Sequence, residues 1–249
     1  MQRGMRVAQT VILAAGSGSR LASARGDVPK PLVTIGGVPL IEHAIAHAHA
    51  AGCVEAVIVI GHEGERVRAA VEDSRPPIRV QFLYSPDPSL PNGISLLAAE
   101  PLTQDLFFLQ MVDHLFADVA LTRLTQAPFE PFEAGRVLID MKPAPHLDLD
   151  DATKVRLDGR RVSAIGKGLD AWDAIDAGCF LLTPAIFEAL RSTATLETRT
   201  VSAGMRELVA AGRLTAADLD GIEWTDIDTP ADRDTAERLL NAVTSRTGA

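Results

Sequence analysis

An apolar run at residues 11–13 (Val-Ile-Leu) breaks into Ala14-Ala15-Gly16-Ser17-Gly18-Ser19, a loop with almost no side chains. The run is short and continuous, as in a strand buried on both faces of a parallel sheet. The loop lets backbone N–H groups approach a ligand closely. Arg20 follows at once, and Lys30 stands between Pro29 and Pro31. A bare-backbone loop followed by two fixed cations suits a polyphosphate. Two cations on a loop are more often a solvated pair, but the surrounding glycines and prolines favour a ligand for Arg20 and Lys30.

The segments that follow restrict the fold further. Residues 39–52 read as a helix, with Pro39 at its start and Gly52 at its stop. Residues 54–60 read as a strand, 63–73 as a helix ended by Pro76 and Pro77, and 78–84 as a third strand. This β-α-β-α-β order implies a parallel sheet with right-handed crossovers. A short helix is predicted over 94–100, with Asn92 near its N-cap, and a fourth strand over 106–112, ending on Asp113 and His114. In a doubly wound sheet of order 3-2-1-4, strands one and four meet at the topological switch point. The Asp113 carboxylate then projects beside the phosphate loop, although an aspartate there is otherwise an N-cap for the next segment.

The second half changes character. Short strands are predicted over 136–141, 153–157, 161–165 and 174–182, with a hairpin turn at Leu157-Asp158-Gly159-Arg160. Helices are predicted over 184–190, 202–211 and 231–243, the last opened by Pro230. Neither repeat nor linker interrupts the chain. One α/β domain over residues 1–249 is expected, with a doubly wound, mixed but mainly parallel sheet and a smaller β-rich acceptor portion.

Composition bounds the partners. Of 249 residues, 47% are hydrophobic and 23% charged, and the net charge of −9 argues against nucleic acid. Against that balance, Arg3, Arg6, Arg20, Arg25 and Lys30 near the start face only Asp27, a basic local field suited to an anionic small molecule. Cys53 and Cys179 lie in apolar surroundings without metal-ligand spacing and read as buried thiols in a reducing compartment. No apolar run reaches the roughly 18 residues of a membrane span, and none resembles a signal core. A cytoplasmic enzyme is expected.

Rival phosphate loops fail on the residues. A P-loop needs Gly-x4-Gly-Lys-Ser/Thr, which this loop lacks. A dinucleotide loop needs a third glycine where Leu21 stands. What remains is Leu-Ala-Ala-Gly-x-Gly-x-Arg-Leu over residues 13–21, with Pro-Lys-Pro-Leu over 29–32. That combination resembles the signature of the sugar-phosphate nucleotidyltransferases, and the likeness extends over nearly the whole chain. Narrower motifs are Asn-Gly-Ile-Ser-Leu at 92–96, Met-Val-Asp-His-Leu-Phe at 111–116, Ala-Thr-Lys-Val at 152–155, Trp-Asp-Ala-Ile-Asp at 172–176 and Asp-Ile-Asp-Thr-Pro at 226–230. These are similar to the inositol-1-phosphate cytidylyltransferase branch, with phosphocholine cytidylyltransferases nearby. In that branch the domain is often fused to a membrane-embedded phosphotransferase, so a chain ending at Ala249 is expected to be a stand-alone form.

The resemblance implies nucleotidyl transfer from a nucleoside triphosphate, CTP by preference, to a small alcohol phosphate. It implies Mg²⁺ held by Asp113 and Asp226, with Asp228 the weaker candidate because it is well placed to cap the helix at Pro230. Leu13, Ala14, Ala15, Gly16, Ser17, Gly18 and Ser19 would hold the nucleotide, Asn92 and Gly93 would help read the base, and Arg20 and Lys30 would grip its phosphates. Lys167 would bind the acceptor phosphate, while Trp172, Asp173 and Asp176 would line the acceptor pocket. His114 reads as a packed or capping residue, and His43, His47 and His49 as helix-face residues. A UTP-, GTP- or dTTP-dependent sugar-1-phosphate enzyme is the alternative within the class, and a non-catalytic nucleotide-binding module the alternative outside it. Oligomeric state is not legible.

Overall fold

The computed structural model describes residues 5–16 and 26–247. Ser17, Gly18, Ser19 and Arg20 of the loop lie outside the described residues. In chain order the strands are β1 (Gln9–Ala14), β2 (Thr34–Ile35), β3 (Val38–Pro39), β4 (Glu55–Ile60), β5 (Arg79–Tyr84), β6 (Phe107–Met111), β7 (His114–Phe116), β8 (Gly135–Asp140), β9 (Lys154–Asp158), β10 (Arg161–Gly166), β11 (Ala174–Leu182), β12 (Leu214–Asp218) and β13 (Trp224–Asp226). The helices are α1 (Leu40–Ala50), α2 (Gly64–Ser74), α3 (Asn92–Ala98), α4 (Ala185–Ser192), α5 (Val201–Ala210) and α6 (Pro230–Thr247).

Among the described residues one nine-stranded sheet runs β5-β4-β1-β6-β11-β8-β12-β10-β9. β5, β4, β1 and β6 are mutually parallel, giving the expected 3-2-1-4 order. The sheet then turns antiparallel at β11, which pairs with β6 through Cys179–Leu182 and with β9 through Ala174 and Ile175. The mainly parallel doubly wound sheet with a β-rich second portion is therefore the observed architecture.

Strand burial follows from the layers on either side. Every residue of β1 and β4 is buried, as parallel strands covered on both faces require. Side chains alternate across β1: Ile12 and Ala14 face the layer of Ile41, Ile45 and Val67, whereas Val11 and Leu13 face Leu96, Phe187 and Met205. The fully buried Leu40, Ile41 and Ile45 of α1 each contribute about 1.5–3 kcal/mol by leaving water.

Three differences from the predicted elements have physical causes. β12 carries one large apolar residue, Leu214, so its sequence has little period, yet parallel pairing with β8 makes it a strand. β7 is only three residues long and exists because β13 pairs with it. α3 begins at Asn92, with Pro91 rather than Asn92 at its cap.

Candidate active site

Two adjacent parallel strands aim their carboxyl ends at one place. β1 leads into Ala15 and Gly16, and β6 leads into Asp113, with the Val112 N–H donating to the Leu13 carbonyl at 3.2 Å. The β7/β13 ribbon folds residues distant in sequence onto this point. Asp226 lies opposite His114 in the ribbon, and the Ile227 N–H donates to the Asp113 carbonyl at 2.9 Å. Asp228 follows immediately.

Lys30 completes the centre. It opens a 3-10 turn, Lys30–Leu32, flanked by Pro29 and Pro31. Its ammonium donates to Asp113 Oδ2 at 2.5 Å and to Asp228 Oδ1 at 2.6 Å, with the lysine side chain only 8% exposed. Burial disfavours the ammonium, but the two carboxylates outweigh it and raise the Lys30 pKa. Burial likewise disfavours the Asp113 carboxylate, but Lys30 and His114 outweigh it and hold that carboxyl well below its usual range. His114 Nδ1 bonds Asp113 Oδ1 at 2.8 Å, and its ring stacks on Trp224 at 5.5 Å. Gly178 closes the other side. It has φ +73°, and a Cβ there would fall on the His114 ring, so glycine is required twice over.

The expectation that Asp228 caps the last helix is not met. Thr229 and Asp232 do so as a reciprocal capping box. Asp232 Oδ2 accepts from the Thr229 N–H at 2.7 Å and the Asp228 N–H at 3.0 Å, and the Asp232 N–H donates to Thr229 Oγ1 at 3.3 Å. The Asp228 side chain turns to Lys30 instead. Asp226 lies opposite His114 in the ribbon and, together with Asp113 and Asp228, lines the second recess described below. Burial raises its carboxyl above the ordinary range, opposed by His114 and reinforced by Asp113, Asp228 and Asp232.

Two recesses open from this centre. One, of about 290 Å³, is lined by Leu13, Ala15, Gly16, Lys30, Asn92 and Ser95, with Asp113 and Asp228 at its floor. Ala14 is buried in the core beneath it. Asn92 stays on the wall while its Oδ1 accepts the Val201 N–H at 2.9 Å. Gly93 does not line the recess; a Cβ there would fall on the Arg199 carbonyl oxygen, so packing accounts for this glycine. Ser95 bonds Ser85 through their hydroxyls at 3.0 Å, a buried pair absent from the sequence reading.

The second recess, of about 280 Å³, is rimmed by Asp151, Thr153, Lys167, Asp176 and Ser202. Lys167 ion-pairs with Asp151, and its carbonyl accepts from Lys154 Nζ at 3.0 Å. Burial pushes the Asp176 carboxyl up to about 6, although the Gly178 N–H and His114 favour its charged form. Trp172 and Asp173 are not brought to this recess. The Asp173 Oδ2 accepts the Leu157 N–H at 2.7 Å, and Trp172 packs against the core. The two recesses share Asn92, Met111, Asp113 and Asp228. Asp151 and Ser202 carry no motif of their own; the recess collects them from a turn and from α5.

The centre fits a hard divalent cation. Two carboxylate oxygens touch one ammonium, so they are close enough for a single small ion to touch both. No group of three or more His, Cys, Asp or Glu suited to a metal occurs among the described residues. A cation here would complete its shell with substrate oxygens and water, as small hard ions do. Across the sheet the described helices include none long and apolar enough to cross a membrane.

Residues 10–138 match the sequence profile of the MobA-like NTP transferase domain. The chain is 36% identical over 231 residues to a bifunctional IPC transferase and DIPP synthase of Rubrobacter xylanophilus, an alignment covering 92% of this chain and 51% of that one. It is 30% identical over 247 residues to a CMP-5'-(3-aminopropyl)phosphonate synthase of Streptomyces rubellomurinus, covering 92% of this chain and 38% of that one. The chain thus spans about half the length, or less, of these curated relatives. The inositol-1-phosphate CTP transferase of T. maritima superposes with a TM-score of 0.87 over 97% of this chain and 98% of that one, at 24% identity, a likeness of fold.

Proposed function

The chain belongs to the MobA-like NTP transferase family and is a nucleotidyltransferase, and we propose that it joins CTP to inositol 1-phosphate or a closely related polyol phosphate. The observation that carries this reading is the pair of recesses meeting at Asp113 and Asp228. One is walled by the glycine-loop strand and Lys30, the other by Lys167 and Asp176. The names of the relatives, which speak of IPC, CMP and CTP transfer, support the choice of base and acceptor.

In this reading an oxygen of the acceptor phosphate attacks the α-phosphorus in line. The new P–O bond forms as the α–β bridge breaks, and its electron pair leaves with pyrophosphate. A phosphate monoester, with second pKa about 6, is already a dianion near neutrality, so the site requires no general base. The task is to hold two polyanions together and to neutralise developing charge. Backbone N–H groups at Ala15 and Gly16 receive the triphosphate, continued by Ser17, Gly18, Ser19 and Arg20. Lys30 meets the α-phosphate. Lys167 leaves Asp151 to grip the acceptor phosphate, and Asp176 accepts hydrogen bonds from polyol hydroxyls. Asp113 and Asp228, rather than Asp226, hold Mg²⁺, because those two already share one cation. Bound there, Mg²⁺ supplies charge neutralisation for the phosphate oxygens.

Purified protein with Mg²⁺, each of four nucleoside triphosphates and a panel of alcohol and sugar phosphates tests this by pyrophosphate release. Release with CTP and inositol 1-phosphate is expected. Faster release with another triphosphate and a hexose 1-phosphate reassigns both substrates.

A further inference from the structure

Lys30 is assigned above to the α-phosphate, yet in the structure its ammonium is held by two carboxylates, and it cannot serve both at once. Its ammonium lies 2.5 Å from Asp113 Oδ2 and 2.6 Å from Asp228 Oδ1, the two carboxylates assigned to the metal. A divalent cation touching the same oxygens would meet a positive nitrogen in contact with both. Like charges at that separation repel strongly in a partly buried site. The ammonium and the metal are therefore alternatives.

The surroundings suit an exchange. The lysine backbone is fixed between Pro29 and Pro31, with the Leu32 N–H bonded to the Pro29 carbonyl at 2.8 Å and the Val33 N–H to the Lys30 carbonyl at 3.1 Å. The four-carbon stem above that anchor turns freely enough to carry its charge elsewhere. Lys30 lines the recess assigned to the nucleotide, so the new partner for its ammonium is a phosphate oxygen of the incoming triphosphate. Without such a partner, an ion that expels Lys30 leaves a nearly buried ammonium unpaired, which is costly.

We infer that Lys30 competes with the divalent cation for Asp113 and Asp228, so that metal binds firmly only together with a nucleotide polyphosphate that takes over the ammonium. In the free enzyme the lysine neutralises the carboxylates; in the loaded enzyme it neutralises phosphate. The inference rests on the assignment of Asp113 and Asp228 to the metal, but on no choice of base or acceptor.

Mn²⁺ binding by the free protein, read as loss of the free-ion paramagnetic resonance signal with no nucleotide present, tests it. Lys30→Met is expected to bind Mn²⁺ about tenfold or more tightly than the wild type, and Lys30→Arg to remain weak, since only the methionine removes the competing charge. Equal or weaker binding by Lys30→Met overturns the inference, as does absence of Mn²⁺ binding by every form. A second measurement needs no variant. Acetylation of the wild-type protein, mapped by mass spectrometry, is expected to speed up at Lys30 when Mn²⁺ alone is titrated in, with exposed Lys142 as the internal reference. A Lys30 rate unchanged at Mn²⁺ concentrations where the resonance signal shows the ion bound overturns the exchange. Pyrophosphate release reports separately on the proposed reaction, because neither measurement here contains nucleotide or acceptor.

Discussion

At the scale of single residues, the centre depends on which of two neighbouring aspartates faces Asp113. Asp228→Asn is expected to lower kcat by about a hundredfold or more, and Asp226→Asn by clearly less, in steady-state pyrophosphate release. The reverse order would return the metal to Asp226. The sequence favours Asp226 over Asp228 for a local reason: an aspartate two residues before a predicted helix reads as a cap. The true cap was also written there, since Thr229 and Asp232 have the spacing of a capping box, which frees Asp228. Lys30 and Asp113 were legible because a cation between two prolines and a carboxylate at a strand end each have few structural uses. Trp172 and Asp173 were misleading, because a tryptophan and an acid at a strand start serve a hairpin as readily as a pocket. The reason for Gly93 was hidden as well, since the Arg199 carbonyl that excludes a side chain there comes from a distant loop.

At the scale of elements, His47 joins α1 to the ribbon side of the sheet. Its Nδ1 bonds Gln110 Oε1 at 2.9 Å, and its Nε2 accepts the Ala120 N–H at 2.9 Å. Its ring stacks on Phe116 at 5.1 Å. Both nitrogens are thus used in the neutral form, and burial lowers the imidazole pKa from 6.5 to about 4. The folded state binds this proton less readily than the unfolded chain. The stabilisation is therefore complete above pH 6.5 and is lost as pH falls towards 4, by up to about 3 kcal/mol. Urea unfolding at pH 7 and pH 4.5 is expected to show a smaller difference for His47→Gln than for the wild type. An identical difference would remove His47 from the acid sensitivity. The long parallel strands and their helices were readable from period and punctuation. β7 and β12 were not, because their partners rather than their own residues make them strands.

At the scale of the molecule, the two recesses are separate in their walls and common in their floor. Lys167→Ala is expected to raise KM for the acceptor with little change in KM for the nucleotide. The rise in thermal midpoint on adding nucleotide and Mg²⁺ is expected to persist in that variant, because ligand bound to the folded state alone stabilises it by mass action. A lost thermal shift would place Lys167 in the nucleotide recess. The 3-2-1-4 order and the position of Asp113 beside the glycine loop follow from alternating strands and helices. How the second half joins that sheet does not, since antiparallel insertion leaves no mark on local period.

The order of strands across the sheet is not the order in which a ribosome delivers them. β6 arrives early, but its neighbour β11 comes only after β7, β8, β9 and β10. During synthesis the edge of β6 is therefore without its partner while four later strands, β7 to β10, emerge. Asp113 likewise waits for Asp228, which comes from the far end of the topology. The contact of Lys30 with both Asp113 and Asp228 arrives as one late event in the life of the polypeptide, once residue 228 has been made.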